Sequence, residues 1–157
     1  MSTEKLLHDY CTTHNITLSL AESCTGGNIS SKLTKISGAS DYFVGSIVCY
    51  TILVKNKALQ IPVPYIEKYG VVSPEVARAM ANGALQYFET DIALGITGYA
   101  GPNGGTLDFP VGSICVGVAS KLNINQTYTT HFAGSRRDII EQASEYALKT
   151  ILQSIVK

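Results

Sequence analysis

Ser23 and Cys24 stand side by side in A-E-S-C-T-G-G-N, between an apolar run and two glycines, and each is a candidate nucleophile. A hydroxyl at the mouth of a helix has free backbone N–H groups beside it. Those of Cys24, Thr25, Gly26 and Gly27 would suit a developing oxyanion or a phosphate. The two glycines also let a ligand approach the main chain closely. The competing role for Ser23 is structural, because a serine ahead of a helix caps it, with a contribution of roughly 1 kcal/mol. Cys24 has the better intrinsic thiolate, but cysteine in such a run reads first as small buried filler.

A serine needs a base. The only histidines are His8, His14 and His131; two fall on the predicted first helix, away from the loop face, and the third in a late hairpin. A lysine kept neutral by burial can take the proton instead. Lys55 is the candidate, since Ile52, Leu53 and Val54 precede it and Tyr50 stands five residues before it, which would put a phenol beside a desolvated amine. An ordinary solvated lysine near Lys57 is the alternative.

The elements that must position these groups are read from periodicity and punctuation. Leu6, Leu7, Tyr10 and Cys11 predict a helix over Thr3 to His14, with Asn15 at its end. Ile16 to Ala21 reads as a strand running into the serine motif, and Asn28 to Ile36 as a short helix. Tyr42 to Tyr50 is rich in strand formers, a helix follows from about Leu53, Pro62 and Pro64 break it, and Tyr65 to Tyr69 gives one helical turn. Ser73, Pro74 and Glu75 form a strong helix start, with the helix running to about Phe88. Asp91 to Thr97 is a buried strand that empties into the glycine-rich stretch G-Y-A-G-P-N-G-G-T-L-D-F-P. Two further strands make a hairpin turning near Asn123, and Arg136 to Val156 closes the chain as a helix. This order predicts a three-layer α/β/α sandwich with a mixed, mostly parallel sheet and a late hairpin. In such sheets ligands bind where strands end and helices begin, which here means Glu22 to Gly27 and Gly98 to Gly105.

At 157 residues, 45% of them hydrophobic, the chain is the size of one domain, and 1–157 is expected to form a single one. Lys plus Arg number 12 and Asp plus Glu 12, so no broad charged surface advertises nucleic acid or an acidic membrane. The amino terminus lacks the apolar core of a secretory signal, and no apolar run approaches the length of a membrane span. Cys11, Cys24, Cys49 and Cys115 lie far apart with no C-x-x-C pair, which argues against a zinc cluster or redox dithiol and for a reduced, cytoplasmic protein. No metal or cofactor is expected. Apolar strands in a small domain predict a homo-oligomer.

The motifs A-E-S-C-T-G-G, G-V-V-S-P-E-V-A, G-I-T-G-Y-A-G-P-N-G-G, P-V-G-S and F-A-G-S-R, in this order and spacing, resemble the carboxy-terminal domain of the CinA family, the nicotinamide mononucleotide deamidases, in its stand-alone form. The resemblance runs across essentially the whole chain. It implies an amidohydrolase that converts nicotinamide mononucleotide and water to nicotinic acid mononucleotide and ammonia, a step of pyridine nucleotide salvage. The family's Y-S-N-x-x-K segment aligns with Y-T-I-L-V-K, which places the catalytic roles on Ser23, Tyr50 and Lys55. The resemblance further implies that Thr97, Gly98, Ala100, Gly101, Gly104, Gly105 and Arg136 hold the mononucleotide's ribose and phosphate. Two positions depart from the pattern. Thr51 and Ile52 replace the serine and asparagine after the tyrosine, and Phe109 stands where a basic residue often precedes P-V-G. Losing an amide removes a fixed hydrogen bond near the base, and losing a cation weakens a grip on phosphate. A nucleotide-binding protein without turnover and an amidase for a less charged amide are the alternatives that these departures raise.

Overall fold

The central strands alternate large and small residues, and that alternation sets the three layers. In a computed structural model that describes residues 1–156, Leu18 and Leu20 of β1 (Leu18–Glu22), Ile92, Leu94 and Ile96 of β3 (Ile92–Gly98) and Ile114, Val116 and Val118 of β4 (Ser113–Ser120) belong to one buried cluster. Leu7 and Cys11 of α1 (Thr3–His14), Ile29 and Leu33 of α2 (Asn28–Thr34) and Ile139, Ala143, Ala147, Leu148 and Ile151 of α6 (Arg136–Ile155) belong to it too. Side chains of a strand alternate between faces, so the intervening Ser19, Ala21, Ala93, Gly95, Cys115 and Gly117 look the other way. On that second face pack α3 (Ile52–Leu59), α4 (Val63–Tyr69) and α5 (Pro74–Phe88).

Small residues on the second face let α5 lie directly on the sheet. A Cβ at Gly95 would fall 2.6 Å from the Ala77 carbonyl oxygen, and one at Gly117 2.4 Å from the same atom. No relaxation of a flexible side chain would relieve a contact with helix backbone. Helix α5 starts as its sequence predicts, with the Ser73 hydroxyl accepting the Val76 N–H at 3.2 Å and Pro74 in the first turn.

The five-stranded sheet has the order β2-β1-β3-β4-β5, with β2 spanning Phe43–Val48 and β5 Asn125–His131. β1 pairs in parallel with β2 and β3, while β3–β4 and β4–β5 are antiparallel, so the sheet is mixed, with the hairpin last, and half of its pairings are parallel. The chain leaves β1 toward β2 on one side and leaves β3 toward β4 on the other. That reversal opens a crevice at the carboxyl ends of β1 and β3, the position where open α/β sheets bind ligands.

Several boundaries differ from the sequence expectation for local reasons. Helix α3 starts at Ile52 because the Thr51 hydroxyl caps it, accepting from the Val54 N–H at 3.4 Å. Helix α4 starts at Val63 because Pro64 fits a first turn. Strand β1 begins at Leu18, and a short 3₁₀ turn at Ala39–Asp41, absent from the sequence reading, precedes β2. Helix α6 has a full capping box, in which Ser135 and Asp138 each accept the other's N–H. No helix among the described residues is long and apolar enough to cross a membrane.

Candidate active site

Ser23 follows the last residue of β1 directly, its N–H held by the Ile96 carbonyl of β3 at 3.1 Å. Its hydroxyl oxygen lies 2.8 Å from the Lys55 amine nitrogen. Lys55 is fully buried. It stands on the first turn of α3, which Thr51 starts, and its amine is also 2.8 Å from the Cys49 carbonyl and 3.4 Å from the Tyr50 carbonyl. Burial lowers the pKa of Lys55 from its ordinary 10.5, since removing an ammonium from water disfavours the charged form; Cys49 and Cys24 oppose this in the lesser degree. The solvated-lysine alternative for Lys55 is therefore excluded.

The proton count at Lys55 fits a base. A neutral amine has two N–H bonds and one lone pair. The Cys49 and Tyr50 carbonyls can only accept, so they take the two N–H bonds and leave the lone pair facing the Ser23 hydroxyl. Once protonated, the nitrogen has three donors and the same three oxygens around it. The pair is satisfied before and after proton transfer.

Ser23 does not cap α2. Gly27, at φ 98°, occupies the N-cap position and supplies no side chain, and a turn closed by the Gly26 N–H on the Ser23 carbonyl at 3.1 Å separates the serine from the helix. The cap comes from Glu22, whose fully buried carboxylate accepts the Ile29 N–H at 3.0 Å and the Ser30 N–H at 3.1 Å. Sequence reading missed this residue as a cap. The signal available was an acidic side chain beside the serine, a few residues ahead of a helix start.

Among the predicted oxyanion donors, Gly26 is removed by that turn. The N–H groups of Cys24, Thr25 and Gly27 have no acceptor among the described residues. Cys24 is buried, and burial pushes its thiol up to about 12, so it is protonated and inert as a nucleophile near neutral pH. The filler role expected of it agrees with this.

Tyr50 is placed differently from its expected role. Its phenol is half exposed and accepts a hydrogen bond from Arg136 Nη2 at 2.8 Å; among the described residues it bonds neither Ser23 nor Lys55. What Tyr50 gives the Lys55 amine is its main-chain carbonyl. Arg136, the first residue of α6, also donates to the Gly101 carbonyl at 2.8 Å and so ties the loop after β2 to the loop after β3.

A pocket of about 260 Å³ opens above the pair, lined by Ser23, Cys24, Tyr50, Tyr99, Ala100 and Arg136, among others. Gly98 and Gly101 line it as well, and Thr97 does so while its hydroxyl donates to the Val71 carbonyl at 2.9 Å. Gly104 and Gly105 do not line it. They shape the loop instead: a Cβ at Gly104 would meet the Tyr99 ring at 3.1 Å, and one at Gly105 the Val111 nitrogen at 2.8 Å. Val71, Val72, Tyr99 and Asn103 line the pocket without having been singled out from sequence. Phe109 packs with Tyr99 against Val72 and Cys115, so it buttresses the pocket wall. Ile52 packs on the second-face core. Thr51 keeps the capping hydroxyl that a serine there would supply. A larger cavity of about 500 Å³ lies at the opposite end of the strands, near His14, Asp91 and Leu122, and holds no serine–base pair. Among the described residues no group of three His, Cys, Asp or Glu side chains could hold a metal.

A mixed α/β/α sheet with a serine–lysine pair at the crevice between β1 and β3 defines the class structurally. The CinA C-terminal domain family matches residues 1–155, and the chain belongs to that family. It is 42% identical over 142 residues to a CinA-like protein of Desulfotalea psychrophila, covering 90% of this chain and 34% of the relative. It is 40% identical over 149 residues to a CinA-like protein of Leptospira biflexa, covering 95% and 36%. The chain thus spans about a third of the length of these curated relatives. Among solved structures, a competence-damaged protein (CinA) superfamily protein from Escherichia coli superposes with a TM-score of 0.93 at 32% identity, covering 98% of this chain and 88% of that one. The competence/damage inducible protein CihA from Agrobacterium tumefaciens gives a TM-score of 0.93 at 29% identity, covering 96% and 92%.

Proposed function

We propose that the chain is an amidohydrolase that deamidates nicotinamide mononucleotide, with Ser23 as nucleophile and Lys55 as base. The observation that carries this reading is the 2.8 Å contact between a fully buried amine and the serine hydroxyl. Lys55 takes the hydroxyl proton as the Ser23 oxygen attacks the carboxamide carbon, and the oxyanion forms against the free N–H groups of Cys24, Thr25 and Gly27. The Lys55 ammonium then gives its proton to the amide nitrogen, the C–N bond breaks, and ammonia leaves an ester on Ser23. Water attacks that ester, passing a proton to Lys55. Collapse breaks the bond to the serine oxygen, which recovers the proton, and the free acid departs.

The pocket is small for a whole nucleotide, so the carboxamide ring fills it and the phosphate extends toward Arg136 at the rim. Tyr99, which packs on the same buried cluster as Phe109, offers an aromatic wall for the ring. Phe109 also favours a second reading, an amide of lower charge, because an apolar side chain occupies the place of a cation. The test is ammonia release from nicotinamide mononucleotide and from a panel of uncharged amides. Wild type is expected to release ammonia from the mononucleotide, and Ser23→Ala to release none. Turnover by Ser23→Ala would refute the assigned nucleophile, and turnover of the uncharged amides alone would replace the substrate.

A further inference from the structure

Glu22 is the most heavily hydrogen-bonded side chain next to the site, and the reaction as drawn gives it no part. Its Oε1 accepts the Thr25 hydroxyl at 2.7 Å and the Ile29 N–H at 3.0 Å. Its Oε2 accepts the Ser30 N–H at 3.1 Å and the Ser30 hydroxyl at 2.5 Å, with the Ser46 hydroxyl at 3.5 Å. Its main-chain carbonyl accepts the Cys49 N–H at 2.8 Å, and the carbonyl of that same Cys49 receives the Lys55 amine at 2.8 Å. One residue therefore touches the nucleophile loop through Thr25, helix α2 through Ile29 and Ser30, and the support of the base through Cys49.

We propose that Glu22 is a positioning residue for the hydrolysis, holding through the Thr25 hydroxyl the turn whose N–H groups receive the oxyanion. The inference rests on the Ser23–Lys55 reading. Its physical basis is that the main-chain bonds of the turn hold its ends and its carbonyls: the Ser23 N–H is on the Ile96 carbonyl at 3.1 Å, the Gly26 N–H is on the Ser23 carbonyl at 3.1 Å, and the Thr25 and Gly27 carbonyls accept from Asn28 and Ser31 at 2.9 Å each. The N–H groups of Cys24, Thr25 and Gly27 are held by none of these bonds, and the glycines at 26 and 27 both lie at positive φ. Glycine gives this backbone freedom, and an oxyanion donor works only if it is already in place when charge develops. Thr25 is buried, and its hydroxyl spends its single proton on Oε1. The Glu22 carboxyl thus adds to those main-chain bonds a side-chain anchor at Thr25, in the middle of the run of N–H groups that would receive the oxyanion. The Ser30 contacts, on the other oxygen, serve the helix alone.

That division of labour gives the test. Thr25→Val keeps shape and removes only the hydroxyl facing Oε1, whereas Ser30→Ala removes a hydroxyl facing Oε2. Glu22→Gln puts an amide donor among groups that all donate. Steady-state kinetics on the substrate, urea unfolding, and the rate of Ser23 labelling by a phosphonofluoridate, followed by intact mass, are measured for all three variants. The expected result is a fall in kcat with KM retained for Thr25→Val and Glu22→Gln, reaching about 100-fold, the loss that accompanies a misplacement of ~1 Å. Labelling should slow in parallel, while Ser30→Ala lowers stability and keeps kcat. Wild-type kcat and labelling in Thr25→Val would overturn the proposal, as would losses of kcat that follow stability equally in Thr25→Val and Ser30→Ala. A wild-type protein that is labelled but releases no ammonia fails the substrate reading alone, and slowed labelling of Thr25→Val then still supports Glu22. A wild type inert to both label and amides overturns both.

Discussion

Replacing Lys55 by methionine separates what the lysine costs the fold from what it does for chemistry. Methionine fills nearly the same buried volume without an ionisable group. Activity should vanish, and the informative quantity is stability as a function of pH. In wild type the folded-state pKa of Lys55 lies below 10.5, so between those two values the unfolded chain binds a proton that the folded chain does not. Protons therefore favour unfolding, and stability rises with pH through that window. The slope is ~1.4 kcal/mol per pH unit for one proton. Lys55→Met lacks this contribution. Its lost hydrogen bonds to the Cys49 carbonyl and Ser23 hydroxyl, about 1 kcal/mol each, shift its stability by an amount that does not change with pH across the window. Every other titrating group is common to both proteins, so the difference in unfolding free energy isolates Lys55. Urea titrations at several pH values between neutrality and 10 should show wild type gaining on the variant as pH rises. A difference that stays constant would refute a depressed Lys55 and with it the neutral base.

Two further outcomes follow from packing and acidity. Cys24→Ala should retain turnover to within about tenfold, and iodoacetamide should leave Cys24 unmodified at pH 8, because a buried thiol pushed up to about 12 offers almost no thiolate; loss of activity on alkylation of Cys24 would contradict this. Gly95→Ala should cost about 1–3 kcal/mol of stability, read as a lower urea midpoint, since the new methyl meets the Ala77 carbonyl and Ala81 nitrogen of α5 at 2.6 Å; an unchanged midpoint would mean that α5 is free to shift.

The layers were legible because periodicity reports burial directly: I-A-L-G-I-T is both a buried strand and, in its alternation, a statement of which face takes a helix close. The serine and lysine were legible as residue types, while their pairing depends on the path from Val48 to α3, which Thr51 fixes by starting the helix one residue earlier than expected. The cap was misread for a definite reason. The rule that a serine before a helix caps it needs the serine at the helix boundary, and here Gly26 and Gly27, both at positive φ, insert a turn between Ser23 and Asn28. The cap then passes to a side chain long enough to reach across the turn, Glu22. The place of the Tyr50 phenol was not legible because adjacency in sequence puts its carbonyl, but not its ring, beside the amine: the phenol lines the pocket and meets Arg136. The roles of Gly104 and Gly105 depend on contacts with Tyr99 and Val111 that no local pattern encodes.

The site contains a fully buried carboxyl group, on Glu22, and a fully buried amine, on Lys55, and they are not partners. The carboxylate faces α2 and its donors, and the amine faces two carbonyls and a hydroxyl. Had they met, the pair would have favoured the protonated lysine and worked against the base proposed above. The groups that do favour the charged amine, Cys49 and Cys24, act only as thiolates, and burial pushes their thiols up to about 11 and about 12. At neutral pH both thiols are uncharged and add no opposing charge, which leaves desolvation as the dominant influence on Lys55. The fold thus sets one buried polar group on the helix cap and the other against the serine, with the separation enforced by the opposite directions in which β1 delivers the Glu22 and Ser23 side chains.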